Sequence, residues 1–586
     1  MKDFFKMFLA TVLGIIVTPI ILLFIFIIIG TITLSKDKAP TINPKSVLQL
    51  DLDTEISERV ADNPFEKLMS PSFFDVSSIG LNTVAAMLKQ AKEDDNIEGV
   101  YLDVSHVSAS LATVEELRNC LLDFKESGKF IYSYSESLSQ LSYYLVSVSD
   151  KIFVHPQGLI DMRGLASEVM FFKGLLDKVD LDMQIIRHGT YKSAVEPYML
   201  DKMSEANKEQ LQTCLGSVWN HIVTNISKSR SIDVKTINNS CDSLLFISDI
   251  EEAVQRGFVD RLMYKEQFET FVRSELELDS LEKINWVSLK EYKKKHSPEK
   301  IEKNKIAVIY AVGSIIDEEG NSQSIGSSTA DEIVKAKNNK SVKAIVFRIN
   351  SGGGSALASE SIWREVYLAQ QVKPVVVSMS DYAASGGYYI ACASSYIVAH
   401  PSTITGSIGV FGMIPNMEKL LANKLGITVD RVKTNSHSDA ISITRSLDGY
   451  ERAVLQKTVE NTYSTFVKRV ADGRNLSASF VDSIGQGRVW SGMDALRLNL
   501  IDTLGGMDVA IRKAAELADI ANYTVTEQPV LKDFYQEFME LFMENTAMKQ
   551  MQKSHLYQTY TYFNFAESVL QLKGIQARIP YILEIY

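Results

Sequence analysis

Two stretches of the chain share one pattern: residues 149–156 are SDKIFVHP, and residues 394–401 are SSYIVAHP. Each is preceded by a tyrosine pair, Tyr143-Tyr144 and Tyr388-Tyr389, so the offset is 245 residues throughout. Self-similarity at a fixed offset indicates an internal duplication. The sequence therefore predicts two copies of one structural unit.

Short apolar runs alternate with stretches of helical spacing in these copies. The pattern VLQLDLD at residues 47–53 is typical of a strand. Four runs in the second copy are also predicted as strands: Ile306–Tyr310, Ala344–Ile349, Val375–Met379 and Tyr396–Ala399. Between them, Ala330–Lys337 and Ser359–Gln371 have helical spacing. This alternation predicts an α/β fold with parallel strand pairing.

The duplication divides the chain into five predicted parts. The first copy covers 46–280 and the second covers 305–521, with a lysine-rich, solvated connector at 281–304. Residues 1–45 are predicted as a membrane anchor and linker. Residues 522–586 are predicted as a tail with an amphipathic helix near Asp533–Met551 and an aromatic run at 557–565.

The start of the chain carries one long apolar run. Residues 8–34 contain no Asp, Glu, Lys or Arg, and about 20 apolar residues suffice to cross a bilayer. A cleaved signal peptide has a shorter apolar core, of about 7–15 residues, and a small-residue cleavage site. We therefore expect one uncleaved transmembrane helix that contacts the lipid bilayer. Lysines flank it on both sides, so charge does not decide its orientation.

The composition argues against several classes of protein. The net charge of −11 disfavours nucleic-acid binding, because phosphate contacts need a basic face. The four cysteines are far apart and form no C-x-x-C pair, so neither a zinc site nor a dense disulfide framework is expected. We expect no metal and no other cofactor.

Ser385 is the candidate nucleophile of the second copy. It lies in DYAASGGYY, residues 381–389, directly after an apolar strand. Small neighbours at a strand-to-helix transition leave a hydroxyl accessible at a helix N-terminus, where backbone N–H groups favour developing negative charge. The same pattern also fits a tight helix start packed against a sheet.

A glycine cluster precedes this serine. Residues 349–355, INSGGGS, follow a predicted strand and precede a predicted helix. Consecutive glycines can direct backbone N–H groups into one concavity, as in an oxyanion hole or a phosphate nest. The sequence lacks the glycine patterns of nucleotide-binding loops, which disfavours the phosphate alternative.

A serine nucleophile needs a base, and two histidines follow Ser385. His400 has a counterpart, His155, in the copy where Gln140 replaces the serine, so a structural role is simpler for His400. His437 stays open as a candidate.

Lysine is the other candidate base. Lys192 lies among small and apolar residues of the first copy, where desolvation would lower its pKa and provide a neutral amine. The corresponding stretch of the second copy has no lysine. The first copy thus has the lysine without the serine, and the second has the serine without the lysine.

Four motifs together resemble those of the signal peptide peptidase A family, also called protease IV, in its long, duplicated form. They are TYKSAVEP at 190–197, NSGGGS at 350–355, ASGGYY at 384–389 and TGSIGVFG at 405–412. The resemblance runs from the predicted anchor to about Gly506. One departure is visible: the family usually has a proline where this chain has Gly352, which adds backbone freedom but removes no donor.

The resemblance implies a Clp-protease/crotonase-like fold in each copy, after one transmembrane helix. It also implies a homotetramer on the outer, periplasmic side of a bacterial inner membrane that degrades remnant signal peptides. Ser385 would be the nucleophile, Lys192 the general base and Ser407 the residue that orients the lysine amine. Gly353, Gly354 and Gly386 would donate to the oxyanion.

Two alternatives stay open at this point. The chain could be a catalytically inactive membrane scaffold of the same fold. It could also be an acyl-CoA enzyme of the crotonase type, although such an enzyme would not need the lysine paired with the serine.

Overall fold

A computed structural model describes residues 14, 42–60, 78–244, 247, 249–279, 282–295, 301–321, 324–531 and 575–578. Except for Gly14, the predicted transmembrane run at 8–34 lies outside these residues, and so do the predicted tail helix and aromatic run. In the part of the chain that is described, no helix combines the length and apolarity needed to cross a bilayer.

The first repeat and the stretch after it contain eleven described strands and ten described α-helices. The strands are β1 Ser46–Asp51, β2 Glu55–Ser57, β3 Ser78–Gly80, β4 Ile97–Asp103, β5 Phe130–Ser135, β6 Leu138–Ser139, β7 Lys151–Val154, β8 Ile160–Asp161, β9 Asp182–His188, β10 Arg261–Leu262 and β11 Asn285–Ser288. The helices are α1 Leu81–Glu93, α2 Leu111–Lys125, α3 Gln140–Val146, α4 Lys173–Lys178, α5 Glu196–Met199, α6 Glu205–Arg230, α7 Val234–Asp242, α8 Glu251–Gln255, α9 Lys265–Glu275 and α10 Leu289–Lys295.

The second repeat and the tail contain thirteen more described strands and seven more described α-helices. The strands are β12 Lys305–Val312, β13 Ser314–Ile315, β14 Ser324–Ile325, β15 Val342–Ser351, β16 Gly353–Ser355, β17 Val375–Ala384, β18 Tyr396–Ala399, β19 Ile404–Gly406, β20 Val410–Asn416, β21 Val489–Ser491, β22 Thr503–Leu504, β23 Thr524–Gln528 and β24 Ile575–Arg578. The helices are α11 Ser327–Asn338, α12 Ala356–Gln370, α13 Gly386–Ala391, α14 Gly449–Arg474, α15 Ala478–Ile484, α16 Gly492–Arg497 and α17 Met507–Leu517.

Each repeat is built on a sheet with the same strand order. The first sheet is β10-β7-β5-β4-β1-β11, with every pair parallel. In the second sheet, the neighbouring strands in the order β22-β18-β17-β15-β12-β23 are also all parallel. Each of these strands has the same place in the order as its counterpart in the first repeat. The predicted α/β fold is confirmed, and the matching strand order agrees with the duplication inferred from the sequence.

The central strands are apolar because both faces of each sheet are covered. β15 and β17 are almost wholly buried along their lengths, between α12, α13 and α14 on one face and α17 on the other. Strands covered on both faces appear in a sequence as continuous apolar runs. Val375–Met379 and Tyr396–Ala399 could therefore be predicted as strands from their apolar runs, although polar and apolar residues do not alternate in them.

The last strand of each sheet lies outside the range predicted for its repeat. β11 falls in the predicted connector and pairs with β1, and β23 falls in the predicted tail and pairs with β12. The connector also forms α10, whose Tyr292 is fully buried. Its lysines indicated a solvated segment, but a helix can expose lysines on one face and bury an aromatic residue on the other.

A third sheet includes strands from both repeats and from the tail. Its order is β14-β13-β16-β24-β20-β9. β9 of the first repeat runs antiparallel to β20 of the second, with Val410 opposite His188 and Asn416 opposite Asp182. This pairing places the chain that follows His188 beside the second repeat.

A buried group of charged side chains also joins the repeats. Arg348 on β15 is fully buried and pairs with Glu58 at 3.0 Å and with Glu116 on α2 at 2.9 Å. His400 of the second repeat lies 3.0 Å from the same Glu116 carboxylate. Removing one member of a buried ion pair typically costs about 3–5 kcal/mol, because the partner charge stays buried. The two repeats are therefore held in one relative position.

Candidate active site

Ser385 lies at the turn between β17 and α13. Its backbone has a positive φ of 55°, an unfavourable conformation for a residue with a side chain. The next two residues must be glycine, because a Cβ at Gly386 would fall 2.7 Å from Ser359 Oγ and one at Gly387 would fall 2.5 Å from the Ser351 carbonyl oxygen. The sharp turn and the close approach of α13 to α12 and to the end of β15 fix the position of the hydroxyl.

Lys192 comes from the first repeat, in the short loop after β9. The Tyr191 N–H donates to the Gln486 carbonyl of the second repeat at 2.9 Å. Gly189 has a φ of 106°, and a Cβ there would fall 2.4 Å from the same carbonyl oxygen. Backbone contact with the second repeat therefore anchors the lysine loop.

The lysine amine and the serine hydroxyl meet in the interior. Lys192 Nζ and Ser385 Oγ are hydrogen-bonded at 2.7 Å, and both side chains are fully buried. Burial lowers the pKa of the Lys192 ammonium from its ordinary 10.5 to about 7, because the charged form loses its hydration. A large fraction of this lysine is therefore a neutral amine near neutral pH.

Ser407 is the second hydroxyl next to the amine. Its Oγ lies 3.1 Å from Lys192 Nζ and donates to the Gly487 carbonyl at 3.3 Å. With that proton committed to a carbonyl, the Ser407 oxygen can accept a hydrogen bond from the amine. Ser407 has a φ of 50°, so its backbone is also held in a strained conformation beside the lysine.

The three predicted oxyanion donors lie on two neighbouring elements, β16 and the first turn of α13. The Gly353 N–H donates to Ser351 Oγ at 3.1 Å, so it would have to leave that bond to serve an oxyanion. Gly386 is the first residue of α13, where backbone N–H groups have no partner within the helix. A Cβ at Gly353 would fall 2.7 Å from the Gly386 nitrogen, so the two glycines are in close proximity.

A family model for peptidase family S49 matches residues 123–279 and 368–521, more than half of the chain. The chain belongs to peptidase family S49. The first matched range contains Lys192, and the second contains Ser385 and Ser407.

Curated relatives give the same assignment. The chain is similar to Protease 4 of Salmonella typhi, with 34% identity over 507 residues that cover 84% of this chain and 80% of that protein. It is 35% identical to Protease 4 of Haemophilus influenzae over 449 residues, which cover 74% of this chain and 72% of that protein. It is 32% identical to the chloroplastic serine protease SPPA of Arabidopsis thaliana over 453 residues, with coverages of 76% and 66%. The predicted resemblance is confirmed, and the chain is a serine protease.

The two histidines considered as bases lie away from the serine hydroxyl. Burial alone would lower the pKa of His400, but its hydrogen bond with Glu116 and the charge of that carboxylate raise the pKa above its ordinary value. His437 is exposed and lies 3.2 Å from Glu451. Neither ring contacts Ser385 within the described structure, which favours lysine as the base.

His437, Asp448 and Glu451 form a group whose ligand atoms lie within 4.8 Å of one another. Such a group could hold a metal ion, but Arg445 donates to both Glu451 oxygens, at 2.7 and 2.5 Å. The guanidinium already supplies a positive charge at this point, which disfavours a cation.

Several supporting residues were not predicted from the sequence. Gln210 on α6 donates to the Tyr191 carbonyl and to Ser193 Oγ, each at 3.1 Å, and its Oε1 accepts from the Val489 N–H at 3.3 Å. Gly487 has a φ of 84°, and a Cβ there would fall 2.6 Å from the Lys192 Cβ. The glycine pair in Gly485-Gln486-Gly487 could have indicated such a close approach, but a glutamine on a helix gives no comparable signal.

Proposed function

We propose that this serine protease uses a Ser385–Lys192 dyad to cleave remnant signal peptides and other short apolar peptides as a membrane-anchored endopeptidase. The observation that carries the proposal is the 2.7 Å contact between a fully buried lysine amine and a fully buried serine hydroxyl. A buried lysine with a lowered pKa is what a general base near neutral pH requires. A scaffold without catalytic activity would have no need of this costly burial.

The proposed chemistry begins with neutral Lys192. It accepts the Ser385 proton while the serine oxygen attacks a peptide carbonyl, and Ser407 keeps the amine directed at that oxygen. Backbone N–H groups of Gly386 and Gly354, and of Gly353 once released from Ser351, stabilise the oxyanion. Protonated Lys192 then donates to the leaving amine, and water hydrolyses the acyl-enzyme. No step needs a metal or a cofactor.

The proposed substrate would bind as an extended strand. β16 and β20 flank the site, and each pairs with β24 between them instead of with the other. A peptide that replaced β24 would add a strand to two sheet edges at once, a common mode of peptide recognition. Backbone pairing places little constraint on side chains, which suits a protease that degrades varied apolar peptides.

The Clp-protease/crotonase-like fold and the homotetramer are further parts of the proposal. Each repeat has a parallel sheet, and the two sheets have the same strand order. In each sheet the last strand pairs with the first strand of its repeat. These features support a duplicated unit of that type. Residues 427–433 and 165–171, the counterparts of β9 and β20 in the other repeat, pair with no strand within the described residues. Val432 is fully exposed and Met170 is 73% exposed. These segments could pair between copies as β9 and β20 pair within one, and light scattering of the solubilised chain tests this by its mass.

The proposed location is the outer, periplasmic side of a bacterial inner membrane, with 8–34 as a single-pass anchor. It rests on the charge-free apolar run and on the motifs shared with the signal peptide peptidase A family. A protease held beside the bilayer would meet apolar peptides where they are left after secretion.

The experiment that tests the function combines peptide hydrolysis with active-site labelling. The full chain in detergent should hydrolyse an apolar signal-peptide-like peptide and react with a fluorophosphonate at Ser385, located by mass spectrometry. Ser385→Ala should lose both activities, because it removes the hydroxyl that Lys192 would activate. Ser361→Ala, on an exposed position of α12, is the matched control and should keep both. Full hydrolysis by Ser385→Ala would refute the proposal, and CoA binding without hydrolysis would favour the acyl-CoA alternative.

A further inference from the structure

The strand that leads to Ser385 contains a bulge. In the pairing of β15 with β17, the strand β17 has three residues, Ser380–Tyr382, where β15 has only Asn350. A bulge bends a strand and redirects the side chains that follow it. Only Ala383 and Ala384 separate the bulge from the nucleophile. The shape of the bulge therefore influences the direction in which the serine hydroxyl points.

The side chains of Asn350 and Asp381 hold the bulge in shape. Asn350 Oδ1 accepts from the Tyr382 N–H at 3.2 Å, and Asn350 Nδ2 donates to Asp381 Oδ2 at 2.9 Å. Reversing the Asn350 amide would put its NH₂ group against the Tyr382 N–H, so its orientation is fixed. Asn350 can therefore only donate to the residue at position 381.

The other oxygen of Asp381 contacts the first repeat. Asp381 Oδ1 accepts from the Ala112 N–H at 3.1 Å. Ala112 is 1% exposed and is the second residue of α2, in the first turn, where backbone N–H groups have no partner within the helix. The helix dipole also favours a carboxylate at this end. The bulge beside the nucleophile is thus fastened to a helix of the other repeat.

Helix α2 is connected in turn to the loop that carries the lysine. Glu115 on α2 is hydrogen-bonded to His221 on α6. Gln210, also on α6, donates to the Tyr191 carbonyl at 3.1 Å, and Tyr191 directly precedes Lys192. A series of contacts therefore joins the strand that carries the serine, through α2 and α6, to the loop that carries the lysine.

We propose that Asp381 is a positioning residue: its carboxylate joins β15, the bulge of β17 and α2, and so sets the separation between Ser385 Oγ and Lys192 Nζ. The inference rests on the proposed dyad and adds a residue that acts through the position of the serine. Displacing a reacting group by about 1 Å can lower a rate about 100-fold. A carboxylate suits this role because both of its oxygens accept hydrogen bonds, and both of its partners here are donors.

Asp381→Asn tests the role because an amide has only one acceptor atom. In either orientation its NH₂ group faces the Ala112 N–H or the Asn350 NH₂, so one of these donors must move away. The plateau rate of fluorophosphonate acylation at Ser385, and kcat for an apolar peptide, should fall about 10–100-fold. The midpoint of the pH profile should stay near 7, because Lys192 stays buried. KM should change less than kcat.

A double variant restores the complementary hydrogen bonds. Asn350→Asp combined with Asp381→Asn exchanges the two side chains without changing the net charge. The amide at position 381 can then accept from the Ala112 N–H and donate to the carboxylate at position 350. The other oxygen of that carboxylate can still accept from the Tyr382 N–H. The double variant should recover most of the lost acylation rate, whereas Asn350→Asp alone should be slow because two carboxylates face each other.

Asp233→Asn is the matched control. Asp233 also places a carboxylate at a helix N-terminus, where its Oδ2 accepts from the Lys235 N–H at 3.0 Å. Its helix, α7, lies outside the series of contacts from Asp381 to Lys192. This variant should be acylated at the wild-type rate. Thermal unfolding of each variant, followed by circular dichroism, gives the temperature below which the rates are compared.

The outcomes separate positioning from a purely structural role and from the proposed function. Asp381→Asn that is acylated at the wild-type plateau would overturn the inference, even if it unfolds at a lower temperature. A folded double variant with no recovery would also overturn it, and this test holds even if Asp381→Asn does not fold. A shifted midpoint with an unchanged plateau would contradict positioning as well. Wild-type chain that is not labelled at Ser385 would instead refute the proposed dyad.

Discussion

Replacing Lys192 with methionine is expected to lower kcat/KM for peptide hydrolysis by about 10²–10⁴-fold, the usual contribution of a general base. Methionine is apolar and of similar length, so it can fill the buried space without accepting a proton. Ser385 would keep its position at the end of β17 but would lose the amine that lies 2.7 Å away. The measurement is the initial rate of cleavage of an apolar peptide by the full chain in detergent.

Two further variants separate chemistry from folding. Lys192→Arg should also be inactive, because a guanidinium does not release its proton at any useful pH. Lys373→Met is the matched control: the Lys373 amine donates to three backbone carbonyls, at 2.7 to 2.9 Å, but contacts no residue of the dyad. It should keep its activity even if it unfolds at a lower temperature. Near-wild-type hydrolysis by Lys192→Met would show that another group activates the serine.

The effect of Lys192→Met on stability has a predictable sign. Because the folded-state pKa of Lys192 is lowered from 10.5 to about 7, the unfolded chain binds this proton more tightly than the folded chain does. Burial of the lysine therefore costs stability at all pH values below about 10.5, and the cost reaches its full size below about 7. Methionine removes this cost, so the variant should unfold at the same temperature or a higher one near neutral pH. Stability and activity would then change in opposite directions.

Much of the fold could be predicted because buried parallel strands leave a strong mark on a sequence. Four apolar runs of the second copy each lie within a strand of the structure, and the repeated SDKIFVHP and SSYIVAHP both contain a strand of the central sheet. The ends of the repeats were harder to locate. β11 and β23 are sheet-edge strands, less buried than the central ones, and they lie next to lysine-rich or polar segments.

The candidate dyad could be inferred because each repeat lacks one member of it. Gln140 at the position equivalent to Ser385 donates to the Gly164 carbonyl and accepts from the Gly164 N–H, so it serves a local turn. Ser407 could be named only through the resemblance, since nothing in a serine flanked by glycine and isoleucine indicates a lysine neighbour. Gln210 and Gly487 were missed because they act through backbone carbonyls and close packing between the repeats.

The position of β24 could not be predicted at all. Its sequence, IQAR, has no strong strand pattern, and it is separated from β23 by 46 residues numbered 529–574. β24 pairs with the edges of β16 and β20. These two edges face each other only after both repeats have folded. Tertiary context of this kind overrides local propensity.

The rate at which Ser385 is acylated should rise with pH. Lysine acts as a base only when it is neutral, and its neutral fraction falls about tenfold for each pH unit below its pKa. With a pKa of about 7 for Lys192, the acylation rate at pH 5 should be about 100-fold below its plateau. The rise comes from the lysine, since the serine hydroxyl itself does not ionise in this range.

The pH dependence of fluorophosphonate acylation, followed at Ser385 in the full chain, tests the central claim most directly. The account predicts a single rise with a midpoint near 7 in the wild type. It also predicts a slow, nearly pH-independent reaction in Lys192→Met. A wild-type rate that is flat or falls as the pH rises, or a Lys192→Met profile that matches the wild type, would contradict the claim that a neutral lysine from one repeat activates a serine from the other.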